Sequence, residues 1–166
     1  MNITLQINDS CVRASVPFQS SPGDLNRWMD FILEVLRFSS EKKRIYLFTL
    51  SPQNYSLGYE LGSFEESKVH KEKVLINYFE KATDNLLLEI VNSEEFARGL
   101  IKVILTDEKK IFDDLNFVTS DYSHLKDELI TMEDDGASFY WYNPSLSQDQ
   151  IKDKLGKLYH SFGSIN

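Results

Sequence analysis

The side chains here best suited to acid–base, nucleophilic or metal chemistry are 26 acids, three histidines and one cysteine. His70, His124 and His160 lie far apart, without the His-x-x-x-His or Cys-His spacing that brings two ligands onto one zinc ion. They read as surface or boundary residues. Cys11 has no histidine partner to activate it and sits beside Val12 in an alternating apolar stretch, so it reads as a small buried side chain. No Gly-x-Gly-x-x-Gly or Walker loop offers backbone amides to a phosphate, and no Gly-x-Ser-x-Gly elbow presents a serine. Carboxylates occur in pairs at Glu65-Glu66, Glu94-Glu95, Asp113-Asp114 and Asp134-Asp135. Such pairs do acid–base or metal work only when a fold brings them together in a cleft. Glu94-Glu95 suits a helix N-terminus, where acids favour the macrodipole. Asp134-Asp135-Gly136 lacks the ligand spacing and later glutamate of a calcium loop and reads as a tight turn. No catalytic residue, metal site or cofactor is assigned, and the chain is expected not to be an enzyme.

The distribution of the acids says more. The 166 residues carry a formal net charge of -8. Residues 1 to 81 hold ten acids and ten bases, whereas residues 82 to 166 hold sixteen acids and eight bases. Residues 107 to 135 alone contain ten acids against Lys109, Lys110 and Lys126. A balance of this sign disfavours nucleic acid, whose phosphates are neutralised by clustered Lys and Arg, and disfavours an anionic membrane surface. Like charges gathered in one segment repel unless solvent or a partner screens them. The segment therefore reads either as a solvated acidic face or as a docking surface for a basic protein. The aromatic run Phe139-Tyr140-Trp141-Tyr142 follows directly. Strand side chains alternate, so two of the four face the core and two face outward. Aromatic anchors beside a charged rim match the make-up of binding hot spots. The candidate partner-binding residues are Asp113, Asp114, Asp121, Glu133, Asp134, Asp135, Tyr140, Trp141 and Tyr142.

These residues need a scaffold. A chain of this length forms one ordinary domain able to bury ~70% of its unfolded surface. Ile3-Leu5-Ile7 and Val12-Ala14-Val16-Phe18 alternate across Asn8-Asp9-Ser10 and predict a β-hairpin. Ser21-Pro22-Gly23-Asp24 starts a helix over about residues 22 to 38, with Leu25, Trp28, Met29, Ile32, Val35 and Leu36 at helical spacing. Strands are predicted at Ile45–Leu50, Tyr55–Leu61, Val74–Phe79 and Leu86–Val91, the last after a turn at Thr83-Asp84-Asn85. Their links are too short for parallel crossovers, so an antiparallel meander is expected. A helix is expected from Asn92 to about residue 106, a short one over Ser123–Met132, and a strand over Ala137–Tyr142. A last helix carries Ile151, Leu155, Leu158, Tyr159 and Phe162, capped by Ser147 with Gln150 and stopped by Gly163. The sum is one α+β domain over residues 1–166, with about six antiparallel strands in a hairpin plus meander and two to four helices. No secretory leader or apolar span of ~20 residues is read, so a cytoplasmic monomer is expected.

The N-terminal Ile3-Thr4-Leu5-Gln6-Ile7 strand, a second strand ending Val16-Pro17-Phe18 and the helix around Leu25-Asn26-Arg27-Trp28-Met29 resemble bacterial toxin-immunity proteins of the polymorphic-toxin or contact-dependent-inhibition kind. The helix opening Asn92-Ser93-Glu94-Glu95-Phe96-Ala97 after a meander adds to the likeness, which covers residues 1 to 105 in layout. The resemblance implies a small cytoplasmic protein that neutralises a cognate toxin, often a basic nuclease, by tight stoichiometric binding. Two alternatives remain open: a carboxylate-dependent or metal-assisted hydrolase, and an acidic assembly adaptor.

Overall fold

The computed structural model of the protein describes residues 3–17, 22–50, 66–69, 74–112, 115 and 125–162. Its strands are β1 (Thr4–Asn8), β2 (Cys11–Ser15), β3 (Arg44–Leu50), β4 (Glu66–Val69), β5 (Val74–Phe79), β6 (Ile101–Thr106), β7 (Glu128–Glu133) and β8 (Ser138–Tyr142). Its helices are α1 (Pro22–Ser40), α2 (Asp84–Asn92), α3 (Glu94–Ala97) and α4 (Gln148–Phe162). The strands form one eight-stranded sheet in the order β1-β2-β8-β7-β6-β3-β5-β4, each neighbouring pair antiparallel. The fold is α+β, as expected, with more strands than the six anticipated. The connections are not a plain meander: β3 pairs with β6 across the whole β4–α3 excursion, and the N-terminal hairpin pairs with β8.

The four described helices all cover one face of the sheet. Trp28, Phe31, Ile32, Val35 and Leu36 of α1, Leu86, Leu87, Ile90 and Val91 of α2, Phe96 of α3, and Ile151 and Leu155 of α4 share one core with the inward residues of the strands. Trp28 stacks on Phe31 with ring centroids 5.7 Å apart. Leu25, predicted on the buried stripe, is instead exposed. The opposite face carries a second, smaller core of Tyr46, Phe48, Val74, Tyr78, Ile104 and Leu129, covered by Phe112, Leu115 and Leu125. The covering segment is tied down at Tyr46, whose hydroxyl accepts from the Lys110 backbone N–H at 2.7 Å and donates to its carbonyl at 3.1 Å.

Three expected elements change. Leu86–Val91 is helix, because Thr83 is an N-cap rather than a turn residue: its hydroxyl accepts from the Leu86 backbone N–H at 3.2 Å. A short apolar run fits a buried strand or a buried helix equally, and the cap decides. The helix expected from Asn92 to residue 106 ends at Ala97, and β6 follows. Gly99 makes the break. Its φ is +76°, and a Cβ there would lie 2.7 Å from the Met132 carbonyl oxygen, so only glycine fits this approach to β7. The expected Ser123–Met132 helix is replaced, over its described part, by β7, whose two faces enter two different cores. The terminal capping box forms as read: the Ser147 N–H donates to Gln150 Oε1 at 2.8 Å, and the Gln150 N–H donates to Ser147 Oγ at 3.3 Å. The predicted Ser21 cap, the Tyr55–Leu61 strand and the Gly163 stop lie outside the described residues. No helix among the described residues is long and apolar enough to cross a membrane.

Candidate functional site

β7 divides the acidic segment. Its six residues run from Glu128 to Glu133, which separates the two ends by roughly 17 Å at the rise of a strand. At one end sit Asp107, Asp127 and Glu128; at the other sit Glu133, Asp134 and Asp135. Asp113, Asp114 and Asp121 lie outside the described residues, as do His70 and His124.

At the second end, Glu133 pairs with Ser138 to close the β7–β8 hairpin. The turn between them is the tight one expected from Asp134-Asp135-Gly136. Asp134 and Asp135 have φ of 51° and 52°, a region that aspartate tolerates better than most residues. Side chains from two other elements hold the turn. The Trp28 indole N–H donates to the Gly136 carbonyl at 2.8 Å, and Arg13 on β2 pairs with Asp134 at 2.6 Å and with Glu133 at 3.8 Å. Asp134 also accepts from the Ser138 hydroxyl at 2.8 Å; that bond and the Arg13 guanidinium hold its carboxyl below the usual aspartate value. Asp135 is exposed and makes no ion pair among the described residues.

The alternation of β8 sends Phe139 and Trp141 into the helix-side core and Tyr140 and Tyr142 to the other face. Trp141 is therefore not a surface anchor: it is 1% exposed, stacked edge-on against Phe38 with centroids 5.5 Å apart. Tyr142 is half-buried against the smaller core, with its hydroxyl donating to the Leu125 carbonyl at 3.0 Å. Tyr140 is half-buried as well and stands at the centre of a row. It faces Arg13 across β2 and Thr131 across β7, and Thr131 accepts from the Lys102 ammonium at 3.0 Å. Burial lowers the pKa of Lys102, against a smaller opposing pull from Glu133. Arg13, Thr131 and Lys102 were not identified from sequence. Lone cations and hydroxyls carry no spacing signal, and the register that aligns them spans four strands, β2, β8, β7 and β6.

The first end is different. Glu128 shares the helix side with Ile130 and Met132 and is 7% exposed. Its Oε2 accepts from the Trp141 indole N–H and from the Asn143 side-chain amide, both at 3.1 Å. Burial pushes its carboxyl above the usual glutamate value, opposed by the Trp141 bond, Lys43, the Asn143 bond and Lys154 in decreasing order. It lines an open pocket of about 380 Å³ together with Glu41, Lys42, Lys43, Asn143, Ser145 and Lys154. A larger open cleft of about 810 Å³ lies nearby, along the end of α1 and the start of α2. Its charges pair with one another: Arg37 with Asp84 at 3.0 Å, Arg44 with Glu80 at 3.3 Å, and Lys43 with Asp107 at 2.9 Å. Sequence reasoning counted Glu128 among the surface acids. The signal that would have placed it is the period-2 spacing Glu128-Ile130-Met132, which puts a carboxylate on an apolar strand face.

Among the described residues, Glu128 is the only buried carboxylate, and no three His, Cys, Asp or Glu side chains converge so as to hold a metal ion. Comparison with protein-family models, curated proteins and solved structures returned no match.

Proposed function

We propose that the protein is an immunity-type inhibitor that docks a basic toxin domain on the β7–β8 hairpin end of the sheet. One observation carries the reading: Glu133, Asp134 and Asp135 stand on a turn braced by Arg13 and Trp28, with Tyr140 beside them on the sheet face opposite the described helices. A braced turn loses little conformational entropy on binding, so its charges act on a partner at low ordering cost. Three carboxylates against the Arg13 guanidinium and the Lys102 ammonium still leave this end negative by one, which favours encounter with a basic surface and disfavours acidic ones. Tyr140 supplies amphipathic contact area next to that charge. With Trp141 in the core and Tyr142 bonded to Leu125, Tyr140 is the anchor the reading now rests on.

The test is co-expression with the product of the adjacent gene, followed by purification of both chains. A stoichiometric complex together with restored growth supports the reading. A complex without growth rescue points instead to the adaptor alternative, and no complex overturns the proposal. Reversing Glu133, Asp134 and Asp135 to lysine together should slow association strongly, and most at low salt.

A further inference from the structure

We propose that the cavity between Glu128 and Lys154 binds a small zwitterion carrying an ammonium and a carboxylate, of the free amino-acid class. The site lies at the opposite end of β7 from the hairpin, and the proposal does not rest on the toxin-docking reading. Glu128 is more than nine-tenths buried, and both of its hydrogen bonds fall on Oε2. Its Oε1 has no hydrogen-bond partner among the described residues, while the side chain lines the cavity. Lys43 and Lys154 offset the buried charge, and Oε1 is the carboxylate oxygen left for a ligand.

The surroundings narrow the ligand. Lys43 and Lys154 both act on the Glu128 charge, and Lys42 lines the same space. Lys43 is already paired with Asp107 at 2.9 Å, whereas Lys154 makes no ion pair among the described residues. With Glu128 and Glu41 facing Lys42, Lys43 and Lys154, the walls carry both signs of charge, so a cation alone meets the lysines and an anion alone meets the carboxylates. A molecule with both charges a few ångströms apart satisfies Glu128 with its ammonium and Lys154 with its carboxylate. Ser145 and Asn143 add polar groups on the wall. The space of about 380 Å³ is half open to solvent with mostly polar walls, which suits a small charged solute rather than an apolar one.

The experiment is isothermal titration calorimetry and thermal-shift measurement on the full chain with the twenty L-amino acids at millimolar concentration. Ethylamine and acetate serve as single-charge controls. At least one amino acid is expected to bind saturably and raise the melting temperature, with both controls weaker by about tenfold or more. Glu128→Gln and Lys154→Met should each weaken that binding by about tenfold or more. Lys154 is exposed on α4, so its variant reports on the site even if the Glu128 variant folds poorly. Absence of binding by all twenty overturns the proposal, as does equal binding by Lys154→Met or by either control.

Discussion

The indole N–H of Trp141 donates to Glu128 Oε2 at 3.1 Å, tying a core aromatic to the one buried carboxylate of the described residues. The two sit on neighbouring strands, two residues out of register, because Ile130 is the residue opposite Trp141. Trp141→Phe keeps most of the ring packing against Phe38 but removes that donor, leaving the Asn143 amide as the remaining hydrogen-bond partner. Losing a hydrogen bond to a buried charged group costs about 2 kcal/mol or more. Urea denaturation should show a lower midpoint with an unchanged m-value.

The raised pKa of Glu128 makes stability depend on pH with a definite sign. The folded protein holds this proton where the unfolded chain has lost it, so protonation favours the native state. The burial penalty is absent below the usual glutamate value of about 4.3 and grows as pH rises through the folded-state value. Glu128→Gln removes it while keeping an acceptor for Trp141 and Asn143. Urea midpoints of wild type and variant, compared from about pH 4 to about pH 8, should diverge in favour of the variant as pH rises. A constant difference would show that Glu128 titrates as an exposed carboxylate.

Arg13 and Asp135 should act in opposite directions on a basic partner. Arg13→Ala removes the guanidinium paired with Glu133 and Asp134 and leaves the hairpin more negative. Association with a basic partner should become faster and more salt-sensitive, while Asp135→Lys should slow it. Stopped-flow association at two ionic strengths separates these effects. If neither variant changes the rate, the hairpin is not the docking surface.

Gly99 should not accept even one methyl group. Its φ of +76° disfavours any L-residue, and the new Cβ would sit 2.7 Å from the Met132 carbonyl oxygen. The backbone strain alone costs on the order of 1–3 kcal/mol. Gly99→Ala should lower the melting temperature by several degrees without altering the far-ultraviolet circular dichroism of the folded protein.

Where local chemistry was decisive, the elements were legible in the sequence. The first hairpin, α1, β3, β5, β8 and α4 each announce themselves by period and by turn or cap residues, and the Ser147–Gln150 box forms as spaced. The errors share a cause. Leu86–Val91, Ile101–Thr106 and Glu128–Glu133 are short apolar segments whose type is set by what surrounds them. α2 needs its Thr83 cap to be told from a strand. β6 and β7 lie at the centre of the sheet with cores on both faces, so their hydrophobicity loses the alternation of a half-exposed strand.

The acidic bias of residues 107 to 135 and the aromatic run at Phe139–Tyr142 follow from the sequence alone, because charge and alternation are properties of neighbouring residues. Which acid is exposed, paired or buried is decided by contacts between residues far apart in the chain. Arg13 reaches Asp134 across 121 positions, and Trp28 reaches Gly136 across 108. Tertiary structure thus splits one acidic segment into a braced hairpin at one end of β7 and a buried carboxylate beside a lysine-lined cavity at the other. The physical reason is that a strand sends alternate side chains to opposite faces and carries its two ends far apart, so residues adjacent in sequence enter different electrostatic environments.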